Sequence, residues 1–315
     1  MPEARAYEPI RKRLKFRDLD IFFAVVETGS MAEAARRLNL TQPAVSEVIA
    51  QLETLFGIRL FDRSTKGVKP TTSGMALLKR AHAAHDEMRQ CLREIDFLTD
   101  PTAGELHVGC APRLSAGIMP QIVERFSRTY PRAVLHIDEI PPLTRELPGL
   151  RDRKYDLLVG RLVDPLARDA FGDDVKVETL FADHLVVATG ATSKWARRRM
   201  VELAELVDER WILTAPDTWN YLGVSEAFRA RGVRFPKVNL VTSSVSIVRH
   251  LVATGEFITA TSRLIAESLS LKILPLDLHL QSWPAVIITL KNRTLSPIAG
   301  RFVDCAHKTV SSIVG

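Results

Sequence analysis

Apolar side chains fall at helical spacing through the first hundred residues and in short strand-like runs through most of the rest. Phe16, Leu19, Phe22, Phe23 and Val26 predict a first helix, ended by Thr28 and Gly29. Met31, Ala34, Ala35 and Leu38 predict a short second helix over Met31 to Leu38, with Glu33, Arg36 and Arg37 on its other face. Ser30 is a suitable N-cap, and Glu33, three residues on, would close a reciprocal capping box. Asn39 and Leu40 make a tight connection to a third helix. Thr41 caps it, Pro43 sits in the first turn where no amide bond is lost, and Val45, Val48, Ile49, Leu52, Leu55 and Phe56 form its inner stripe.

From Ser73 to about Leu98 there is no proline, and Gly74 stands alone near the start, so a long helix is expected. Along it Leu78, Ala81, His85, Met88, Leu92 and Ile95 recur at alternating steps of three and four, a heptad seam suited to pairing two chains. His85 in that seam is a polar register device or a half-exposed side chain. Pro101 and Gly104 then mark a hinge.

Beyond the hinge, strands and helices alternate, the pattern of parallel or mixed sheets with helices on both faces. Glu105 to Cys110, Ala133 to Asp138 and Asp156 to Gly160 are expected strands, with helices at Ser115 to Tyr130 and Leu143 to Arg153 between them. Thr179 to Thr189 is a strand that would cross into a second lobe. There Trp211 to Leu213, Val238 to Val241 and Phe257 to Ala260 are strands, and Trp219 to Arg231 and Val245 to Thr254 helices. Ala285 to Leu290 and Ile298 to Ile313 return to the first lobe as a strand and a last helix.

The second and third helices make a helix-turn-helix. The outer face of the third begins with Thr41, Gln42, Ala44, Ser46 and Glu47, short enough to reach base edges from a major groove. After Gly57, Arg59, Arg63, Lys66 and Lys69 stand against Asp62 alone, between turn residues, as a β-wing over phosphates would. The predicted DNA contacts are therefore Ser30, Arg36, Arg37, Thr41, Gln42, Pro43, Ser46, Glu47, Arg63 and Lys66. An αα corner in an ordinary helical protein has the same core spacing, and the basic wing tells against it.

Charge sharpens this only locally. The chain of 315 residues carries 43 basic and 37 acidic side chains, and its first hundred residues hold 16 and 14 of them, so the surplus is not gathered in the DNA-binding half. The cluster Arg5, Arg11, Lys12, Arg13, Lys15 and Arg17 is a mobile basic arm touching DNA or a solvated leader. Cys91, Cys110 and Cys305 are far apart with no metal-ligand spacing, and reduced thiols in the cytoplasm are expected. Cys110 is a buried small hydrophobe or, as the alternative, an oxidant sensor. No apolar stretch approaches membrane-spanning length, and a soluble, unexported chain with no membrane partner is expected. The sequence has no Gly-x-Ser-x-Gly elbow, phosphate-binding Gly-Lys-Ser/Thr loop, HExxH helix or His/Cys cluster, so no enzyme, cofactor or metal is expected. A transport solute-binding protein would have no use for the DNA-binding head.

From Phe16 to Gly74 the chain resembles the DNA-binding domain of LysR-type transcriptional regulators: GS before an Ala pair, TQPAVS opening the recognition helix, LE, Leu60-Phe61 with Arg63, and TTSG before the linker. One departure is that the family usually has a basic residue after the TQPAVS serine and more further on, where this chain has Glu47, Val48, Ala50 and Gln51. The wing and N-terminus must then supply more of the attraction for phosphate. GELHVG, the helix ending in Tyr-Pro and the DLLVG strand resemble the family too, and VGRL with VTSS at Val241 to Ser244 looks most like the subgroup typified by the galactose-binding-protein regulator. The resemblance implies an α/β fold class: a winged helix-turn-helix, a long linker helix and a two-lobed effector domain like periplasmic binding proteins. Its segments are 1–15 (basic extension), 16–73 (head), 74–101 (linker), 102–183 with 285–315 (lobe I) and 184–284 (lobe II). It also implies double-stranded DNA with dyad symmetry, a sugar or organic acid effector, RNA polymerase, and a homo-oligomer, a tetramer of dimer-paired chains.

Open α/β lobes take ligands beyond the carboxyl ends of their strands. That places Arg113, Leu114, Ser115 and Arg161 on one side of the cleft, and Thr214, Thr242, Ser243, Ser244 and Thr261 on the other. Ser115 and Ser243 lie near expected helix N-termini. Arg113 and Arg161 grip a carboxylate or phosphate, or each forms an inter-lobe salt bridge or a solvated rim.

Overall fold

Local capping settles the first helices. Helix α1 (Phe16–Thr28) ends on Gly29, whose φ of 63° is the left-handed conformation that glycine adopts without strain. Helix α2 (Met31–Arg37) begins at Ser30, whose hydroxyl accepts from the Glu33 amide at 3.3 Å. The reciprocal half of the expected box does not form: the Ser30 amide donates to the Thr28 hydroxyl at 3.4 Å, and the Glu33 carboxylate turns to Arg36. Asn39 (φ 54°) turns the chain into α3 (Gln42–Phe56), capped by Thr41. Phe22, Val25, Ala34, Val45 and Ile49 close the core between these helices, while Val48, Leu55 and Phe56 are half-buried at its margin.

The computed structural model describes residues 8, 10, 12–64, 67–162, 171–278, 280 and 284–314, and the chain divides into two units, Met1–Arg89 and Gln90–Gly315. In the first, strands β1 (Phe61–Ser64) and β2 (Gly67–Pro70) pair antiparallel as the wing. Glu53 ties α3 to it, accepting from the amides of Leu60 (2.8 Å) and Phe61 (3.3 Å). Helix α4 (Thr72–Thr99) starts so close beneath that a Cβ on Gly74 would stand 2.2 Å from the Leu60 carbonyl oxygen.

The α4 seam is divided. Leu78 packs on the head's core, Ala81 is buried, and the His85 ring meets Phe16 and Phe23 edge-on at 4.9 and 5.1 Å. Only Met88, Leu92 and Ile95 remain exposed. A heptad pattern cannot say whose core it faces, and here its first half faces the head of its own chain.

The second unit continues with β3 (Ala103–Cys110), α5 (Pro112–Gly117), α6 (Met119–Thr129), β4 (Arg132–Glu139), β5 (Leu157–Arg161) and β6 (Val175–Phe181). Next come β7 (Leu185–Thr189), β8 (Trp211–Leu213), α7 (Trp219–Ala230), β9 (Val238–Val241) and α8 (Val245–Ala253). Last are β10 (Ile258–Ser262), α9 (Arg263–Ser268), β11 (Lys272–Ile273), β12 (Ala285–Leu290) and α10 (Pro297–Val314). Sheet I has the order β4-β3-β5-β12-β6, with β3 parallel to β4 and β5 and β12 antiparallel to both its neighbours. Sheet II has the order β11-β7-β10-β8-β9, with β8 parallel to β9 and β10. The chain crosses from β6 to β7 at 182–184, so the single strand expected over Thr179 to Thr189 is two, one in each sheet.

Two further expectations fail for physical reasons. The helix expected over Ser115 to Tyr130 is parted at Ile118, because Pro120 has no amide to carry the ladder through. Leu143 to Arg153 is not a helix: Leu147 (φ 44°), Gly149 (φ 80°) and Arg153 (φ 59°) are left-handed, and Pro148 lacks a donor. Its leucines do pack, Leu147 and Leu150 lying fully buried with Tyr155 and Leu158. One face of sheet I is thus covered by α6 and α10, the other by turns. At the foot of β5, Asp156 accepts from Arg293 (2.7 Å), from Arg93 of α4 (3.0 Å) and from the His107 amide (2.9 Å), pinning the end of α4 to lobe I.

Candidate nucleic-acid interface and effector cleft

At the start of α3, Thr41, Gln42, Pro43 and Glu47 are exposed and Ser46 is half-buried. The Thr41 hydroxyl accepts from the Ala44 amide at 3.4 Å, and Glu47 accepts from Gln51 at 3.2 Å. This face therefore offers hydroxyls, an amide and one carboxylate, with no cation in its first turn. The head's cations stand on other elements instead. Arg36 pairs with Glu33 and Arg37 with Glu27, all well exposed, and Arg63 on the wing stands 3.9 Å from Glu53. Exposed pairs of this kind are worth ~0.2–1 kcal/mol and yield readily to phosphate. Lys66 lies outside the described residues, as do Arg5 and Arg11 of the basic arm. Lys12, Arg13 and Lys15, with the single acid Asp18, border a groove of about 860 Å³ whose other wall is the stretch of α3 from Glu47 to Leu55. The segment before α1 thus brings positive charge beside the stretch of α3 that lacks it.

In the second unit, a cleft of about 380 Å³ opens beyond the ends of β3, β4 and β5. Pro112, Leu114, Ile140, Pro141, Pro142, Leu143 and Trp219 make most of its wall. Arg113 is 8% exposed; its Nη1 donates to the Thr261 hydroxyl at 3.1 Å, while Nε and Nη2 are buried and, among the described residues, have no hydrogen-bond partner. Burial, and then the charge of Arg161, lowers its pKa to about 10, still protonated at neutral pH. Arg161 is differently placed. It is ion-paired with the buried Asp183 of the β6–β7 crossover and lies over the Trp219 ring, 4.5 Å from its centroid. Burial lowers its pKa and the Asp183 carboxylate opposes that shift.

The fold brings Arg113, Leu114, Arg161, Thr214 and Ser243 to this cleft. Thr261 reaches it through Arg113. Ser115, Thr242 and Ser244 line a neighbouring polar recess of about 540 Å³ that shares Ser243 with it. Several of their polar groups are already engaged: Ser244 caps α8, Thr242 accepts from the Ser244 amide, Thr214 bonds to Thr218, and the Ser115 amide is inside α5 rather than at a free helix start. Sequence reasoning missed Asp183, Asn220, whose Oδ1 is buried without a partner among the described residues, and the wall from Pro142 to Leu143. The one sequence signal for Asp183 is an acid set between two apolar strands. Cys110 is fully buried, and burial pushes its thiol far up, away from the thiolate an oxidant sensor needs. Among the described residues no helix is long and apolar enough to cross a membrane.

The head matches the model of the bacterial regulatory helix-turn-helix protein, lysR family, over residues 16–75, and residues 99–311 match the LysR substrate binding domain. The regulator TdcA of Escherichia coli (strain K12) is 28% identical over 245 residues, 78% of this chain and 76% of that protein. GbpR of Azospirillum brasilense is 26% identical over 295 residues, 91% and 84% of the two chains, and neither likeness singles out a subgroup. A full-length OxyR variant from Pseudomonas aeruginosa shares the fold with a TM-score of 0.63 over 95% of each chain at 19% identity. CbnR in complex with its target DNA does so with 0.51 over 94% of this chain and 99% of that one, at 20% identity. The matched segments take in both the reading head and the two lobes around the cleft, and the chain belongs to the LysR family of DNA-binding transcriptional regulators with an effector-binding domain.

Proposed function

We propose that the regulator is switched by an organic acid with an apolar body, held between the lobes by Arg113. The observation that carries this reading is a guanidinium with two buried nitrogens unpartnered among the described residues, in a cleft whose wall is mostly apolar and holds one acid, Glu139. A buried donor left unmade costs about 1–3 kcal/mol, and a carboxylate satisfies both at once, whereas a sugar would need a polar wall. Full-length protein is titrated calorimetrically with small aliphatic and aromatic carboxylates and with neutral sugars. Carboxylate binding should weaken roughly 10- to 100-fold in Arg113→Met, the loss of about 1.5–3 kcal/mol. Tight sugar binding that is indifferent to the substitution would sink the assignment.

The same reading has Thr41, Gln42, Ser46 and Glu47 facing bases, and Arg36, Arg37, Arg63 and the N-terminal Lys12, Arg13 and Lys15 facing phosphates of a dyad operator in the cytoplasm. Met88, Leu92 and Ile95, left exposed on α4, support pairing of two chains within a tetramer. Sedimentation of Met88→Glu should show a loosened assembly, and an unchanged one would move the pairing elsewhere. Contact with RNA polymerase is checked by transcription from the operator with purified components, with and without the acid.

A further inference from the structure

Strands β3 and β4 are parallel and in register, with His107 opposite His136. Directly paired residues share a face of a sheet, as do residues two apart, so Glu105 stands on that face too. The opposite face carries Leu106, Val108, Leu135 and Ile137 into the core. The two imidazoles stack with centroids 4.3 Å apart at 7°, and one ligand atom from each ring and from Glu105 lie within 4.8 Å of one another. Glu105 and His136 are exposed and His107 is half-buried. Among the described residues no side-chain hydrogen bond or ion pair ties up any of the three. Asp138, next on the same face, is taken by Lys154 at 2.9 Å and the Tyr155 hydroxyl at 3.1 Å.

We propose that Glu105, His107 and His136 form a surface site for a divalent transition-metal ion, of which zinc is the type, clipping β3 to β4 on the outer face of lobe I. Two imidazoles and a carboxylate without thiolate suit Zn²⁺, Ni²⁺ or Cu²⁺ better than the oxygen-loving Mg²⁺ or Ca²⁺. Tetrahedral bonds of ~2.0–2.2 Å set ligand atoms roughly 3.3 Å apart, a closure that rotation of exposed side chains supplies, and water completes the shell. β3 runs on into Arg113 and β4 into Ile140, so the ion would brace the two strands that carry one wall of the cleft.

The test is calorimetric titration of untagged full-length protein with zinc chloride at pH 7.5, repeated for His136→Ala, His107→Gln and Glu105→Gln. One equivalent per chain in the wild type, at least tenfold weaker in either histidine variant and weaker in Glu105→Gln, is the expected result. A matching rise in melting temperature with zinc should be present in the wild type and absent from His136→Ala, whose metal-free melting should be unchanged because the side chain is exposed. Zinc bound equally well by the histidine variants, or no zinc bound at millimolar concentration, overturns the proposal.

Discussion

In the function proposed above, Arg37 on the head and Arg113 in the cleft would each meet an anion, yet the fold treats them in opposite ways. Arg37 is exposed and paired with an exposed Glu27, an arrangement that costs little to form or to break. Arg113 is buried with two of its nitrogens unpartnered among the described residues, near an Arg161 that is ion-paired with the buried Asp183. On that proposal, a surface that slides along many phosphates would keep its charges loosely held, and a cleft that responds to one ligand would keep donors in reserve for it.

That contrast is broken most severely at Asp183. With Arg161 and Asp183 5% and 2% exposed, Asp183→Ala leaves a buried guanidinium without its carboxylate and should cost about 3–5 kcal/mol. For a unit of this size, that lowers the melting temperature by roughly 6–20 °C. A change within about 2 °C would mean that Arg161 is no more committed than Arg37.

On the head, Gln42→Ala should weaken operator binding by about 1–3 kcal/mol for the lost base contact while leaving random-sequence binding and the melting temperature alone. Equal losses on operator and random DNA would make Gln42 a phosphate contact. In the cleft, Arg113→Met should leave the ligand-free protein as stable as wild type or about 1 kcal/mol more so, because it removes unmade donors. Chemical denaturation measures this, and a clear loss of stability would show that the Thr261 contact, not the ligand, is what Arg113 serves.

The head was legible because its signals are local: Ser30, Thr41 and Gly29 act within four residues of where they stand. The cleft was legible only in outline. The rule that ligands sit beyond strand ends placed Arg113 and Arg161, but their different fates depend on Asp183 and Thr261, 22 and 148 residues away. Apolar spacing misled twice, where Leu143, Leu147 and Leu150 mimic a helix that Pro148 forbids, and where Leu78, Ala81 and His85 continue a seam that their own head fills. The pairing of His107 with His136 follows from strand register, which no pattern along the chain records.

The smallest effect is the sharpest test of the contrast. Arg37 and Glu27 are 57% and 50% exposed, so Arg37→Ala should change stability by less than about 0.5 kcal/mol. If its charge is loosely held for DNA, removing it takes away one neutralised phosphate, and the slope of log affinity against log salt should become shallower by about 0.9 on operator and random DNA alike. Glu27→Ala should act the other way, since freeing Arg37 of its partner leaves it wholly available to phosphate and should tighten binding at low salt. Binding curves across a salt series read both variants. An unchanged slope in Arg37→Ala would mean that the pair survives on DNA, and that the head's phosphate contacts rest with the wing and the basic segment before α1.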